Sequence, residues 1–133
     1  MAAITYQQDF YGWTEEQAKI LREHRLSELD VDNLLEEVES MGKFEKRELE
    51  SRLEVLLMHL LKWQYQPNFQ GKSWELIIRE QRAKCIRHLR ENPSLKGVLA
   101  EVFGYAYEDA RLWAARETGL TFALPQDKTL PKR

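Results

Sequence analysis

The chain has 133 residues, of which 43% are hydrophobic and 32% are charged. This composition is typical of a globular domain with one core, and no apolar run approaches the ~18 residues that a membrane span requires. The net charge of −2 argues against nucleic acid as a partner, since nucleic-acid-binding domains usually carry a clear basic excess. The lone cysteine, Cys85, excludes an internal disulfide, and the first residues lack the basic and apolar regions of a signal peptide. We therefore expect a cytoplasmic protein.

The small net charge hides an asymmetry between the two halves of the chain. Residues 1–70 carry 8 Lys and Arg against 14 Asp and Glu, a balance of −6, whereas residues 71–133 carry 12 against 8, a balance of +4. An acidic half and a basic half most simply attract each other, within one molecule or across a dimer. The alternative is an anionic partner for the basic half.

The first predicted helix covers residues 14–25. Thr14 and Gln17 have the spacing of a capping box, in which the Thr hydroxyl accepts a hydrogen bond from a helical amide and the Gln side chain reaches back. The aromatic-rich residues 6–13 that precede it are expected to dock on the other helices.

The longest predicted helix covers residues 31–65. Its apolar residues keep one phase at 100° per residue and fall within about 60° of arc; they include Val31, Leu35, Val38, Leu49, Leu53, Leu56 and Leu60. The phase is kept across Gly42, the one place where this helix could bend or break. A helix of this length would span roughly 50 Å at 1.5 Å per residue.

Two more helices are predicted over residues 74–91 and 93–118. Ser73 is placed to cap the first of them, Asn92 and Pro93 to open the second, and Gly119 to end it. The tail, residues 120–133, contains two prolines and is predicted to be extended. With no strand pattern anywhere, the sequence predicts an all-α bundle of about four helices that forms a single domain over residues 1–119.

Several short motifs are shared with a known family. The most specific is His59-Leu60-Leu61-Lys62-Trp63-Gln64-Tyr65-Gln66-Pro67, and others lie at residues 8–13, 25–30, 36–42, 79–82 and 107–111. In these motifs the chain resembles a bacterial family catalogued as domain of unknown function 29. The resemblance implies a cytoplasmic bacterial helical domain, and it implies no reaction.

Four polar residues fall where helical periodicity predicts enclosure. Glu45, Arg52 and His59 are spaced by sevens along the flank of the long apolar face, and Asp109 lies in the inner stripe of the last helix, one turn from Tyr105. A buried carboxylate must be paired, since a bare buried charge costs several kcal/mol. We expect His59 and Arg52 to be the partners of Asp109.

Two interpretations of this cluster remain open. In one it is a His–Asp acid/base pair of a hydrolytic enzyme, with Glu45, Arg52 and Tyr105 nearby. The spacing from Arg52 to His59 also fits loosely the Arg-x(4–6)-His pattern of HEPN-type ribonucleases, which are helical too. In the other the cluster is a buried polar network that sets the register of the helices.

Two further groups of residues on the third helix have a structural and a functional interpretation. Cys85 and His88 share one face, but structural zinc needs four ligands and catalytic zinc three, so we predict core packing, with no metal and no cofactor. Arg79, Arg82, Arg87 and Arg90 lie on the exposed side. They could bind phosphate, or they could form a solvated face that pairs with the acidic residues 36–39.

Taken together, the sequence predicts a protein-interaction or oligomerisation module, with a homodimer or another protein as its partner and no membrane contact. A long helix that a short first helix cannot cover would leave an apolar face for a second copy, and soluble oligomers are mostly two-fold homodimers. The alternative is the hydrolytic enzyme, so whether the protein is an enzyme stays open.

Overall fold

Every regular element in residues 5–120 is helical, in a computed structural model that describes this part of the chain. The four α-helices are α1 (Phe10–Arg22), α2 (Val31–Tyr65), α3 (Lys72–Glu91) and α4 (Leu99–Thr118). Short 3₁₀ turns at Leu26–Glu28, Pro67–Phe69 and Pro93–Val98 join them. The all-α prediction is confirmed.

The long helix α2 has the bounds that its periodicity predicted, and it does not break at Gly42. It begins directly after Asp30, whose carbonyl accepts from the Leu34 amide at 2.9 Å. It ends shortly before Pro67, which has no amide proton with which to continue the helical ladder.

The predicted start of the first helix is wrong by one turn. α1 begins at Phe10 because Asp9 is its N-cap, with Oδ1 accepting from the Gly12 amide at 3.0 Å. Thr14 therefore lies inside the helix, where its hydroxyl donates to the Tyr11 carbonyl at 2.7 Å. The capping-box interpretation of Thr14 and Gln17 fails because a stronger cap precedes it.

The predicted boundaries of the last two helices need smaller corrections. α3 begins at Lys72, two residues early, and Asn92 closes it by donating from its side-chain amide to the His88 carbonyl at 3.1 Å. The first six residues assigned to the last helix form the 3₁₀ turn, so α4 begins only at Leu99. Gly119 ends α4 in the left-handed conformation (φ 76°), as predicted.

Contacts divide the chain into two compact units, the first ending at Lys43 and the second beginning at Phe44. The assignment of residues 1–119 to one domain and of 120–133 to an extended tail stays a prediction. The proposed role of Phe122, Ala123 and Leu124 in covering a neighbouring molecule lies outside the described residues.

The first unit holds α1 and the start of α2 together through polar contacts. Trp13 Nε1 donates to Asp30 Oδ2 at 2.9 Å, and Gln17 Oε1 accepts from the Asp30 amide at 2.9 Å. The Tyr6 hydroxyl donates to Glu37, and this hydrogen bond is the main cause that raises the pKa of Tyr6 to about 12. Trp13 and Gln17 are buried, together with Ile20.

The second unit packs α4 parallel to α2, with α3 antiparallel to both. The direction follows from two ion pairs of equal sequence separation, 55 residues: Lys46 with Glu101 at 3.0 Å and Lys62 with Glu117 at 2.8 Å. On α3 the order is reversed, since Trp74 near its start contacts Lys62 and His88 near its end contacts Glu45.

The core of the second unit is built from large residues on α2 and small residues on α4. One cluster contains Leu49, Leu53, Cys85, Val102 and Ala106, and a second contains Met58, Ala110 and Ala114. The three alanines are fully buried. Because an alanine side chain ends at Cβ, they let the backbone of α4 approach the leucines of α2 closely.

Candidate functional site

A His–Glu pair lies in a cleft between α2 and α3. His88 Nε2 is 2.9 Å from the backbone carbonyl of Glu45 and 3.4 Å from its Oε1. Since a carbonyl oxygen only accepts, Nε2 carries the proton and donates it. One turn further along, Arg52 pairs with Glu48 at 2.8 Å. The cleft has a volume of about 250 Å³, and both pairs line it.

Cys85 does not join His88 as a ligand in this cleft. Its side chain is buried among Leu49, Leu53 and Val102, and this burial raises the pKa of the Cys85 thiol. A thiol binds metal as the thiolate, which an apolar environment disfavours. Within the described residues, no group of three or more His, Cys, Asp or Glu side chains could hold a metal ion.

His59 is enclosed as predicted, but its partner is the backbone of its own helix. The side chain is only 9% exposed, and Nδ1 donates to the Val55 carbonyl one turn earlier at 2.9 Å. Because a carbonyl oxygen only accepts, Nδ1 carries a proton, and this bond satisfies one ring nitrogen. His59 is therefore held by the helix that carries it.

The predicted enclosure of Asp109 is wrong. Asp109 and Tyr105 both lie on the exposed surface of α4. The buried row on this helix is Val102, Ala106, Ala110 and Ala114. Each step of four residues advances 400°, so this row drifts by 40° per step across the helix surface and leaves Asp109 on its flank.

Asp109 contributes instead to a shallow acidic cleft on the outside of the second unit. Its lining is Glu54, Asp109, Leu112, Trp113 and Arg116, and its volume is about 420 Å³. The pKa of Glu54 is raised, mainly by partial burial and further by the charges of Asp109 and Glu50. The ionisable neighbour of Asp109 in this cleft is therefore another carboxylate, Glu54, and the predicted His59–Asp109 pair is not formed.

The five candidate catalytic residues are therefore not assembled into one site. In the part of the chain that the structure describes, no hydrogen bond or ion pair joins any two of Glu45, Arg52, His59, Tyr105 and Asp109. Glu45 contacts His88, Arg52 contacts Glu48, and His59 contacts Val55. The geometry consists of local pairs along α2 and α4.

A cluster that sequence analysis missed lies where α2, α3 and α4 meet at one end of the second unit. Lys62 is buried, with its ammonium 2.8 Å from Glu117 Oε1 and 4.9 Å from the centroid of the Trp74 ring. Trp113 Nε1 donates to Glu117 Oε2 at 2.8 Å. The hydrogen bond from Lys62, followed by the one from Trp113, lowers the pKa of Glu117.

The signal for this cluster is a lysine in the apolar run of α2, between Leu61 and Trp63. A lysine there must direct its ammonium to a partner or to solvent, because a bare buried charge is costly. The cluster joins four residues from three helices, and its chemistry is that of a structural pin: an ion pair capped by an aromatic face.

An aromatic pocket opens beside this cluster, on the other flank of α2. It has a volume of about 440 Å³ and is lined by Leu57, Leu60, Leu61, Trp63, Gln64, Tyr65, Phe103 and Tyr107. Partial burial is the main cause that raises the pKa of Tyr107. The lining combines rings and aliphatic side chains, with Gln64 and the two tyrosines as its polar members.

The most extended exposed apolar surface lies in the first unit. Val31, Leu35, Val38 and Met41, which we call the α2 stripe, are each between 55 and 63% exposed. They follow one another at steps of three and four residues, so they lie along one side of the helix. Rows of large apolar side chains open to solvent are uncommon on the surfaces of monomeric proteins.

The described residues are helical, with local polar pairs in the second unit and an open apolar helix face in the first. The chain belongs to the family "Domain of unknown function DUF29", whose model matches residues 5–132. No curated protein and no solved structure matches the chain. In the described residues, none of the helices is at once long enough and apolar enough to pass through a membrane.

Proposed function

We propose that this protein is a bacterial, cytoplasmic protein-interaction module that forms a homodimer through the α2 stripe. The observation that carries the proposal is the exposure of four large apolar side chains in an unbroken row, Val31, Leu35, Val38 and Met41. Covering side chains that are half exposed gains about 1 kcal/mol each, so the row supplies several kcal/mol of driving force for association.

The packing of the first unit explains why the stripe stays open. Trp13 of α1 donates to Asp30, directly before α2, and Tyr6, which precedes α1, donates to Glu37 of α2. These polar anchors lie on the side of α2 that also half-buries Leu34. The stripe stays more than half exposed beside these contacts, with Leu35 furthest from Asp30 and Glu37 around the helix and Met41 nearest to them.

A second copy is the simplest partner for such a surface. Most soluble oligomers are two-fold homodimers, in which each molecule presents the same set of surfaces to the other. The opposite charges of the two halves of the chain, −6 and +4, give two copies a further reason to attract each other. The polar pairs of the second unit supply no assembled catalytic group, so the hydrolytic alternative gains no support from the geometry.

The test compares two substitutions of exposed leucines, Leu35→Glu in the stripe and Leu112→Glu on α4. Both side chains are about half exposed, at 55 and 52%, so neither substitution should unfold the chain. Light scattering coupled to size exclusion should show that Leu35→Glu shifts the mass from about 32 kDa towards 15.8 kDa, while Leu112→Glu leaves it unchanged. Equal behaviour of both variants would contradict the proposal.

A further inference from the structure

We infer that the α2 stripe of one molecule docks on the exposed face of α3 in the second molecule, as an acidic surface on a basic one. This inference rests on the proposed homodimer and names the surface that receives the stripe. It is carried by charge complementarity between two exposed helix faces, each of which mixes apolar and charged side chains.

The stripe lies in a purely acidic segment. Residues 26–42 contain six acidic residues and no Lys or Arg; the acidic ones are Glu28, Asp30, Asp32, Glu36, Glu37 and Glu39. Asp30 and Glu37 already accept hydrogen bonds, from Trp13 and Tyr6 of the same chain. Asp32, Glu36 and Glu39 are exposed, and at 100° per residue they border the stripe on one side.

Two stripes facing each other would repel. Each would bring its own exposed carboxylates to the contact, with no basic residue in the segment to offset them. Like charges juxtaposed across an interface oppose association and exclude wrong partners. The apolar row therefore needs a partner surface that is apolar in its centre and positively charged at its edge.

The exposed face of α3 has this composition. Leu76 and Ile86 are 50 and 53% exposed, and Ala83 lies exposed between them. Arg87 and Arg90 are exposed on the same face, as is Arg79, which pairs with Glu75 at 3.2 Å. Of the acidic residues there, Glu80 is paired with Lys84 at 3.1 Å and Glu91 is exposed. Over the whole of α3, six Lys and Arg stand against three Glu. The face is apolar along its middle and carries a positive excess.

The spacing of the charges also matches. Glu36 and Glu39 are three residues apart, as are Arg87 and Arg90, and three residues of helix correspond to about 4.5 Å along the axis. In a two-fold dimer the contact is made twice, because each molecule offers both its stripe and its α3 face. Both exposed surfaces are then covered in one assembly.

The experiment reverses the charges on each surface separately. The acid-reversed variant is Glu36→Lys with Glu39→Lys, and the base-reversed variant is Arg87→Glu with Arg90→Glu. Each alone should weaken the dimer about tenfold or more, because every contact then sets like charges together. A control, Lys96→Glu with Arg116→Glu, makes the same change of charge at exposed positions outside α3 and should leave the dimer intact.

An equimolar mixture of the two reversed variants is the decisive measurement. In a heterodimer one contact sets the new lysines against the new glutamates, and the other contact is wild type, so both attract. Native mass spectrometry should show the heterodimer well in excess of either homodimer. A single chain that carries all four substitutions should likewise form a homodimer. This variant replaces the mixture as the test if circular dichroism shows that one of the reversed variants does not fold.

The outcomes separate the two proposals. A wild-type dimer that Leu35→Glu disrupts, but that the base-reversed variant leaves intact, would overturn docking on α3 while the proposed function stands. Failure of the mixture to form the heterodimer would overturn it as well. A wild-type chain that is monomeric at every concentration would overturn the homodimer and this inference together.

Discussion

The apolar face of α2 runs through both units, and the two units differ in how much of it they bury. In the second unit the positions of this periodicity are covered from Leu49 to Leu56, with Leu49 fully buried against Val102 and Ala106. Before Lys43 the apolar positions are open, and Leu35 and Val38 are more than half exposed. Periodicity therefore shows that a helix has an apolar face; the packing of the neighbouring helices shows whether the chain itself covers that face.

The difference arises from what each unit has available. The second unit brings two helices of 20 residues each to α2, and the alanines of α4 let one of them approach closely. The first unit has only the 13 residues of α1, which it anchors through Trp13, Gln17 and Asp30. A short helix held by polar contacts cannot also cover the stripe.

The largest effect that this comparison predicts concerns a matched pair of leucines on α2. Leu49→Ala should lower the free energy of unfolding by about 2–5 kcal/mol, because it removes a fully buried side chain and leaves a cavity. Leu35→Ala should change it by no more than about 0.5 kcal/mol. Urea denaturation at a protein concentration low enough to keep the chain monomeric measures both. Similar losses for the two variants would remove the distinction between the units.

The next prediction concerns the Lys62–Glu117 pin of the second unit. Glu117→Gln should lower the stability at pH 7 by about 1 kcal/mol, since the Glu117 side chain is 41% exposed and solvent screens the pair. The folded-state pKa of Glu117 lies below its ordinary value of 4.5. The charge therefore stabilises the fold above pH 4.5, and this contribution is lost as the pH falls through the lowered pKa.

Denaturation of both chains at pH 7 and at pH 3 measures this effect. The wild type and Glu117→Gln should differ at pH 7, and the difference should be smaller at the lower pH. Glu108→Gln, at an exposed position of the same helix, is the control and should track the wild type at both values. A difference in stability that is the same at both pH values would show that the charge of the Glu117 carboxylate does not stabilise the fold.

Sequence reasoning found the helices better than it found the side-chain contacts. The bounds of α2 follow from the phase that its apolar residues keep across Gly42. The start of α1 was missed because Asp9 and Thr14 are both good caps, and the spacing of Thr14 and Gln17 favoured the later one. Which of two caps is used depends on tertiary contacts, such as those that bury Trp13.

The candidate site illustrates a different limit. Placing Asp109 inside assumed that the buried face of α4 runs straight along the helix, whereas the alanine row drifts around it. Lys62 was passed over because a single lysine in an apolar run carries no spacing pattern; its partners, Glu117 and Trp74, lie 55 and 12 residues away in sequence. Periodicity along one helix cannot report which residues of other helices will meet it.

The smallest predicted effect concerns Gly42, where α2 passes from one unit to the next. An added Cβ at Gly42 would meet no other atom within 4 Å, so Gly42→Ala should stabilise the chain by about 0.5–1 kcal/mol by lowering the entropy of the unfolded state. Gly119→Ala should be destabilising, because φ at Gly119 is +76°. A loss of stability in Gly42→Ala would indicate that the helix is not continuous there.

The proposed dimer requires that a second molecule covers the surface that the first unit leaves open. Sedimentation equilibrium of the wild-type chain from about 1 to 100 µM tests it most directly, since mass action makes a dimer of this kind depend on concentration. We expect the mass to rise from 15.8 kDa to twice that value across this range. A mass that stays at 15.8 kDa at every concentration would contradict it.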